Sequence, residues 1–473
     1  MAVKEIYYPS KVEDPNTVLN QELLDMSTAQ LMSWQQGVGR FGQLQMHACW
    51  GQKSSLLRRY HGQTISRSYV YLKGMMQLFD HTRDARWRWF ADDIVANVLN
   101  LQAPDGGFFH SGDAGEPTYL TDHDNTCPIH QGFACLTLLN YLGWEHALPD
   151  REERIHLALQ RNFKWFCREW WQYGNTWAGR LKTPGFCGVT NQDLVVIAAM
   201  AKYMKVCGEA RYFEQYGKPA LDYFLSPEVY YEALGLFERC DKPNFAERTG
   251  YNYVILDVLE YLYACTEDAR ISQVIDNVRA HLFDAAYEED DGLLYLAWGA
   301  QTDPVDKSHI IGWDRYPHVL TDLPYLLWHM KAHLARFPDQ EKQEIVNRLE
   351  RTLAAYVYAD GTQALNLRGG DAVFQIAGTF VAPLWLYLIR RLGSEIQSPQ
   401  PVRVPTVHRK CGNLVWKSNE RLWSLEMDGK RCFAGLKANE SALAIGPEEG
   451  IYGADFATLE EPDFVEHIPL LIK

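Results

Sequence analysis

The chain has 473 residues, of which 47% are hydrophobic and 22% charged, and its formal net charge is −14. That acidity excludes nucleic acid as a general partner, because phosphate binding needs a basic surface; an anionic small substrate stays open, since local charge can oppose the global balance. No stretch approaches the roughly 18 uninterrupted apolar residues of a membrane helix. The N-terminus, M-A-V-K-E-I-Y-Y-P-S, carries no apolar core of a signal peptide. Ten cysteines are scattered without a C-x-x-C pair, and Cys135, Cys207 and Cys265 sit in apolar helical runs. Reduced thiols in a cytoplasmic protein follow as the expectation.

Taken in order, Gln21 to Gln36 reads as an amphipathic helix, and Ser66 to Phe79 as a more apolar one. A polar link leads into a third over Trp87 to Leu101. From here a phrase recurs: Thr82-Arg83-Asp84-Ala85-Arg86, Gly208-Glu209-Ala210-Arg211 and Thr266-Glu267-Asp268-Ala269-Arg270 each follow an apolar helix and start a polar one. Weaker counterparts stand at Leu148-Pro149-Asp150-Arg151 and Phe337-Pro338-Asp339-Gln340. A recurrence every ~60 residues is the mark of a repeated helical hairpin.

The apolar partners are Pro128 to Leu142, Asp193 to Met204, Tyr253 to Ala264, Val319 to Ala332 and Val373 to Leu392. Leu194 to Met200 is hydrophobic almost all round, which requires burial on every side. The runs Arg151 to Trp170, Tyr212 to Phe224, Ile271 to Phe283 and Glu341 to Val357 keep a polar face. An apolar inner layer and an amphipathic outer layer account for this alternation. Six pairs make an all-α (α/α)6 toroid over residues 1–395, with an open helical solenoid as the alternative.

After Gly393 the run S-E-I-Q-S-P-Q-P-V-R-V-P reads as a linker. Leu414-Val415-Trp416 and Leu422 to Met427 then alternate, Asp428-Gly429 is a hairpin signal, and Arg431 to Leu436 is the return strand. Residues 402–473 therefore read as a small C-terminal β domain or lid.

In a closed ring, all links from outer to inner helices lie on one face, and here those are the long ones. They carry Arg58, Arg59 and Tyr60; Asp122, His123, Asp124 and Asn125; Arg180 with Asn191, Gln192 and Asp193; Arg248 with Asn252; Trp313, Asp314, Arg315 and His318; and Arg368 with Asp371. Chemically rich loops on one side of a rigid scaffold are where function usually sits. Singly, each arginine is more often a solvated loop residue. Five loops with arginine on an acidic chain together favour a substrate with carboxylate or sulfate groups, gripped by guanidinium forks. Trp50, Trp177 and Trp313 offer stacking surfaces, although plain packing explains each as well.

Asp122 to Asn125 stand just before an inner helix, with Asn125 or Thr126 as N-cap and Pro128 near the first helical position. Glycoside chemistry needs two carboxyl groups facing one cavity, one protonated and one ionised. Asp124 and Asp193 open successive inner helices and are the candidate pair, with His123 beside them and Asp314 and Asp371 in reserve. The competing reading of both is a plain helix cap. Asn125, Asn191, Asn252, Arg180, Arg248, Arg315, Trp313, His318 and Tyr60 are the candidate substrate-binding residues.

The six-hairpin plan, with D-H-D-N before the second inner helix and N-Q-D-L opening the third, resembles the unsaturated glucuronyl hydrolases and the rhamnogalacturonyl hydrolases. That resemblance implies that Asp124 and Asp193 match the family's two aspartates, one serving as general acid and base. It implies hydration of the C4–C5 double bond of an unsaturated uronic acid. The plan is similar to that of toroidal polysaccharide lyases about equally, and the β tail suits that reading. A lyase would neutralise the uronate with Asn125, Asn191 or Asn252, use His123 or His318 as base, and protonate the leaving oxygen through Tyr60, Tyr251 or Tyr316. Sugar epimerases of this shape use paired histidines on inner helices, whereas the histidines here fall mainly in loops.

His123, Asp124, Cys127 and His130 are close in sequence, but their spacing fits no familiar zinc pattern, so no metal is expected. There is no Walker loop, no G-x-G-x-x-G after a strand and no G-x-S-x-G elbow, so no cofactor is expected. The reading is a glycosidase of an acidic oligosaccharide, with a uronate lyase as the alternative and a non-enzymatic glycan- or partner-binding toroid as the second. A homo-oligomer is compatible with the sequence.

Overall fold

The computed structural model describes residues 12–37, 40–41, 45–50, 55–60, 65–108, 128–173, 184–185, 189–239, 244–247, 252–315, 318–319, 322–363, 366–367, 373–377, 382–411, 414–418, 422–427, 430–436, 442–445 and 451–453. Side chains are described for fewer of them. Among the described residues there are twelve α-helices. They are α1 (Gln21–Ser33), α2 (Ile65–Thr82), α3 (Ala85–Asn100), α4 (Pro128–Leu142), α5 (Glu152–Trp170), α6 (Thr190–Cys207), α7 (Lys218–Phe224), α8 (Asn252–Thr266), α9 (Ala269–His281), α10 (Leu323–Arg336), α11 (Gln340–Ala355) and α12 (Ala382–Leu392).

The even-numbered helices form a ring. Each packs on the next, from α2 to α4, α6, α8, α10 and α12, and α12 packs back on α2. The odd-numbered helices lie outside, each against the inner helix beside it, and α1 closes the outer layer by packing on α12. This closed circuit is an (α/α)6 toroid and rules out the open solenoid. Its physical basis is the alternation in the sequence: Leu194 to Ala201 on α6 are all buried, while α5 exposes Glu153 and Arg154 and buries Ile155, Leu159 and Phe166. Burying a large aliphatic or aromatic side chain contributes about 1.5–3 kcal/mol, so the ring is held by many such residues. A glycine permits close contact between α4 and α6: a Cβ on Gly132 of α4 would lie 2.6 Å from Val195 Cγ1 on α6.

The recurring phrase builds the short inner-to-outer links. Thr82 Oγ1 donates to the Leu78 carbonyl at 2.6 Å, and Thr266 Oγ1 to Leu262 at 2.7 Å. The next residue turns left-handed, Arg83 at φ 56° and Glu267 at φ 55°. Asp84 and Asp268 then cap the following helix, each accepting from a backbone N–H two residues on at 3.0 Å. At the third copy Gly208 takes the left-handed position, at φ 73°.

The outer-to-inner links are long, and strands join them. His318–Val319, Asn366–Leu367, Val373–Ala377, Gln45–Trp50 and Ser55–Tyr60 form one antiparallel sheet in that order. It ties together the links that precede α2, α10 and α12. Phe245–Glu247, Gly299–Thr302 and Ile310–Asp314 tie the link before α8 to the one before α10. The long links thus gather on one face.

Several boundaries differ from the sequence expectation. Val373 to Leu392 is not one helix: Val373–Ala377 is a strand on Gln45–Cys49, and α12 begins at Ala382. An apolar run rich in Val, Phe and Ile suits either state, and pairing with a distant strand decides it. Val319 likewise belongs to a strand, with α10 starting at Leu323. The seventh helix is preceded by a π-turn at Phe213–Gly217.

Residues 396–404 follow α12 without regular structure. Ser398 Oγ donates to Asp84 at 2.6 Å and accepts from Trp87 Nε1 at 3.1 Å, and the Gln400 N–H donates to Asp25 at 3.3 Å. Beyond them six antiparallel strands between Val407 and Gly453 pair in sequence order. Met427 pairs with Lys430 on the adjacent strand, and the Asp428-Gly429 hairpin signal lies outside the described residues.

Candidate functional site

A cavity of about 330 Å³ lies in the middle of the ring and draws lining residues from all six inner helices. Its wall includes Tyr69 and Lys73 from α2, His130 and Phe133 from α4, Asn191 and Gln192 from α6, Tyr253 and Asp257 from α8, Tyr325 from α10 and Leu386 from α12, together with Arg239 from a long link. The volume falls within the roughly 300–1,000 Å³ of small-molecule sites. Tyr253 and Tyr325 stack with centroids 4.4 Å apart and planes at 13°. Tyr69 packs on Phe133 at 4.9 Å. Aromatic surface beside amides and charges is the usual make-up of a site for a ring with hydroxyl groups.

Charge is concentrated on one side. Lys73 Nζ donates to Asp257 Oδ2 at 2.9 Å and to the Tyr69 hydroxyl at 3.4 Å. Burial pushes the Asp257 carboxyl up, but Lys73, Arg390 and His329 outweigh it and hold it at about 2, so the group is ionised. Behind it, His329 is 1% exposed, with Nε2 3.7 Å from Asp257 Oδ1 and Nδ1 3.7 Å from Glu260. Arg279 Nη2 donates to His329 Nδ1 at 3.3 Å, and a guanidinium only donates, so Nδ1 keeps its lone pair. Burial lowers this imidazole to about 3, and Arg279, Arg390 and Lys73 act in the same direction against Asp257. The ring is therefore neutral. Arg279 also pairs with Glu260.

Nearer the opposite end of the axis, Lys202 hydrogen-bonds Asn140 and lies 4.4 Å from the Tyr261 ring centroid. Burial lowers its ammonium.

The sequence candidates distribute unevenly over this geometry. Asn191 lines the cavity. Asp193 is wholly buried in the first turn of α6; the N-cap there is Val189, so Asp193 is not a cap. Asn252 is buried as the first residue of α8. Trp313 is partly buried on the strand Ile310–Asp314, packed against the core. Arg315 is exposed; its carbonyl accepts from the Tyr287 hydroxyl at 2.8 Å and its guanidinium lies 5.0 Å from that ring centroid. Neither Trp313 nor Arg315 lines the cavity. Tyr60 and His318 are placed by backbone only, Tyr60 opposite Gln45 and His318 opposite Leu367. His123, Asp124, Asn125, Arg180 and Arg248 lie outside the described residues. Pro128 is the first residue of α4, as its position relative to Asp124 implies.

Lys73, Asp257 and His329 escaped the sequence reading because each sits inside a run that reads as core. A signal was available: a charge in the middle of V-Y-L-K-G-M-M or Y-V-I-L-D-V-L-E is costly to bury unless it is paired. His130 and His329 lie on inner helices, exceptions to the expectation that the histidines fall mainly in loops.

Fold and cavity define an (α/α)6 toroid with a polar, aromatic axial site. No protein-family model matches the chain, and no curated protein matches it. Among solved structures it is similar to a cellobiose 2-epimerase from Bacillus thermoamylovorans, at 13% identity and TM-score 0.49 over 69% of this chain and 88% of that one. It is similar to a possible member of the GH105 family from Klebsiella pneumoniae, at 15% identity and TM-score 0.49 over 79% and 94%. It is also similar to the unsaturated glucuronyl hydrolase of Bacillus sp. GL1, at 11% identity and TM-score 0.47 over 80% and 97%. The group named from the sequence thus returns among the structural likenesses. All three TM-scores fall below 0.5, and the toroid is defined by its own closed circuit of helix contacts. No helix among the described residues is long and apolar enough to cross a membrane.

Proposed function

We propose that the chain is a glycoside hydrolase that takes an acidic oligosaccharide into the axial cavity. The observation that supports it most is the cavity's composition: rings of Tyr69, Phe133, Tyr253 and Tyr325 beside Asn191, Gln192, Lys73 and Arg239, contributed by five of the inner helices and one long link. Arg239 supplies a guanidinium for a substrate carboxylate. Asp124 and Asp193 serve as the carboxyl pair, with His123 beside Asp124. In the unsaturated-uronide form of the reaction, the protonated carboxyl delivers its proton to C4 while the ionised one takes a proton from water that adds to C5. The resulting hemiketal opens and releases the rest of the oligosaccharide as an alcohol.

A lyase reading has one observation in its favour, that His130, Asn191 and Tyr253 line the same cavity. A lyase creates a conjugated uronate and its ultraviolet absorbance grows; an unsaturated-uronide hydrolase consumes the chromophore and the signal fades. Asp124→Asn should abolish the fading while leaving the thermal unfolding profile unchanged. Undiminished turnover by that variant discards the hydrolase assignment. Glycan binding with no change in absorbance for either substrate class favours a binding module.

A further inference from the structure

We propose that Lys73 and Asp257 form a hydroxyl-reading pair on the cavity wall, binding two neighbouring hydroxyl groups of one sugar ring while the substrate's acid group is held elsewhere. This rests on the reading of the cavity as a sugar site.

Donor and acceptor counts carry it. An ammonium has three N–H donors, and among the described residues Lys73 spends two, on Asp257 and Tyr69. A carboxylate accepts at about four lone-pair positions. Among the described residues Asp257 accepts one hydrogen bond, from Lys73, while the His329 nitrogen at 3.7 Å is too distant to donate. Both residues line the cavity, although Asp257 is only 8% exposed and the Lys73 side chain 13%. A spare donor and spare acceptors therefore face the same space, on groups 2.9 Å apart. A ligand satisfying both must accept at one point and donate at an adjacent one, which neighbouring sugar hydroxyls do. Hydrogen bonds to ionised groups in a sheltered site are the stronger kind.

The same pairing decides where the acid group does not go. The charge of Lys73 is already balanced by Asp257, and a substrate carboxylate placed there would meet a like charge at close range. Arg239, on the link that precedes α8, is a second basic side chain on the wall and takes that role. The pair therefore selects for hydroxyl pattern and not for acidity.

The test measures equilibrium binding of D-glucuronate, its 2-deoxy, 3-deoxy and 4-deoxy analogues, and D-glucose. For the unaltered protein, binding should fall about tenfold or more, equivalent to about 1.4 kcal/mol, at two adjacent deoxy positions and not at the third. In the paired variant K73Q/D257N, which removes both charges together, that discrimination should shrink to within about threefold on the same scale, while the preference for D-glucuronate over D-glucose persists. Circular dichroism checks that the variant is folded, and the deoxy series on the unaltered protein remains decisive if it is not. Full deoxy discrimination in the folded variant overturns the proposal, as does loss of the acid preference alone. Sugar binding without any deoxy penalty overturns it while leaving the sugar-site reading standing; no sugar binding at all overturns both.

Discussion

Gly74 of α2 lies flat against Trp385 of α12, the first inner helix against the last. A Cβ at position 74 would overlap three atoms of the indole's six-membered ring. The same indole is fully buried and donates through Nε1 to Thr28 Oγ1 of α1 at 3.0 Å. One side chain thus fastens the seam where the inner and outer layers both close. Gly74→Ala should destabilise the protein by about 1–3 kcal/mol through overpacking, even though alanine in a helix interior ordinarily gains about 0.5–1 kcal/mol over glycine. A urea midpoint equal to or above that of the unaltered protein would show that the seam does not rest on this contact.

Asp257 on the cavity wall and His329 behind it make stability depend on acid. His329 is held at about 3, below its ordinary 6.5, so the unfolded chain binds the proton more readily than the folded one. Its stabilising contribution is complete above pH 6.5 and is lost progressively as pH falls towards about 3. Asp257 is held at about 2 against an ordinary 3.8, so its contribution is lost in a second, lower window. Going from pH 7 to pH 4.5, the histidine alone should remove roughly 2–3 kcal/mol of unfolding free energy. His329→Gln should flatten the stability profile across that interval while leaving the fall below pH 4. Urea titrations of both proteins at pH 7, 5.5 and 4.5 measure it; parallel slopes would sink this account.

Two of the repeated links differ in one respect that can be measured. Asp84 and Asp268 cap their helices in the same way, but Asp84 also accepts from Ser398 of the segment after α12. Arg86 at the bound Asp84 holds its carboxyl at about 2, despite some burial, with Ser398 and the cap acting in the same direction. Asp268→Ala, which removes the cap together with the exposed pairing to Arg270, should cost about 1 kcal/mol. Asp84→Ala should cost more, about 2 kcal/mol, because a second hydrogen bond goes with it. Limited proteolysis should then cut near residue 398 faster in Asp84→Ala only. Equal costs and equal cleavage would mean that Ser398 does not anchor the segment.

The helical plan was legible because two local signals agreed. The T-x-D-A-R phrase encodes a side-chain bond back into the finished helix, a left-handed residue and a cap, all within a few positions. The apolar run Leu194 to Met200 demanded burial on every side, which only an inner layer supplies. Val373 to Ala377 was misread because its partner, Gln45 to Cys49, lies more than three hundred residues away, and no local pattern reports such a pairing. Part of the cavity wall was legible in the link before α6, through Asn191 and Gln192. Lys73 and Asp257 are 184 residues apart, and their meeting depends on ring closure. Arg315 was singled out for its charge and loop position, yet it lies over Tyr287 outside the cavity.

Asp193 carries the sharpest remaining prediction. It follows two cavity-lining residues, Asn191 and Gln192, yet is itself completely buried. A buried aspartate that serves catalysis and one that serves the fold respond differently to the isosteric change Asp193→Asn. General acid–base catalysis is typically worth 10²–10⁴-fold, so the variant should lose about that much kcat while its unfolding midpoint moves little. A purely structural aspartate gives the opposite pattern, because replacing a buried charge that others hydrogen-bond costs stability. Turnover would then survive in whatever fraction remains folded. Measuring kcat and the urea midpoint on the same preparation separates the two, and a fall in midpoint with kcat per folded molecule unchanged would remove Asp193 from the catalytic pair.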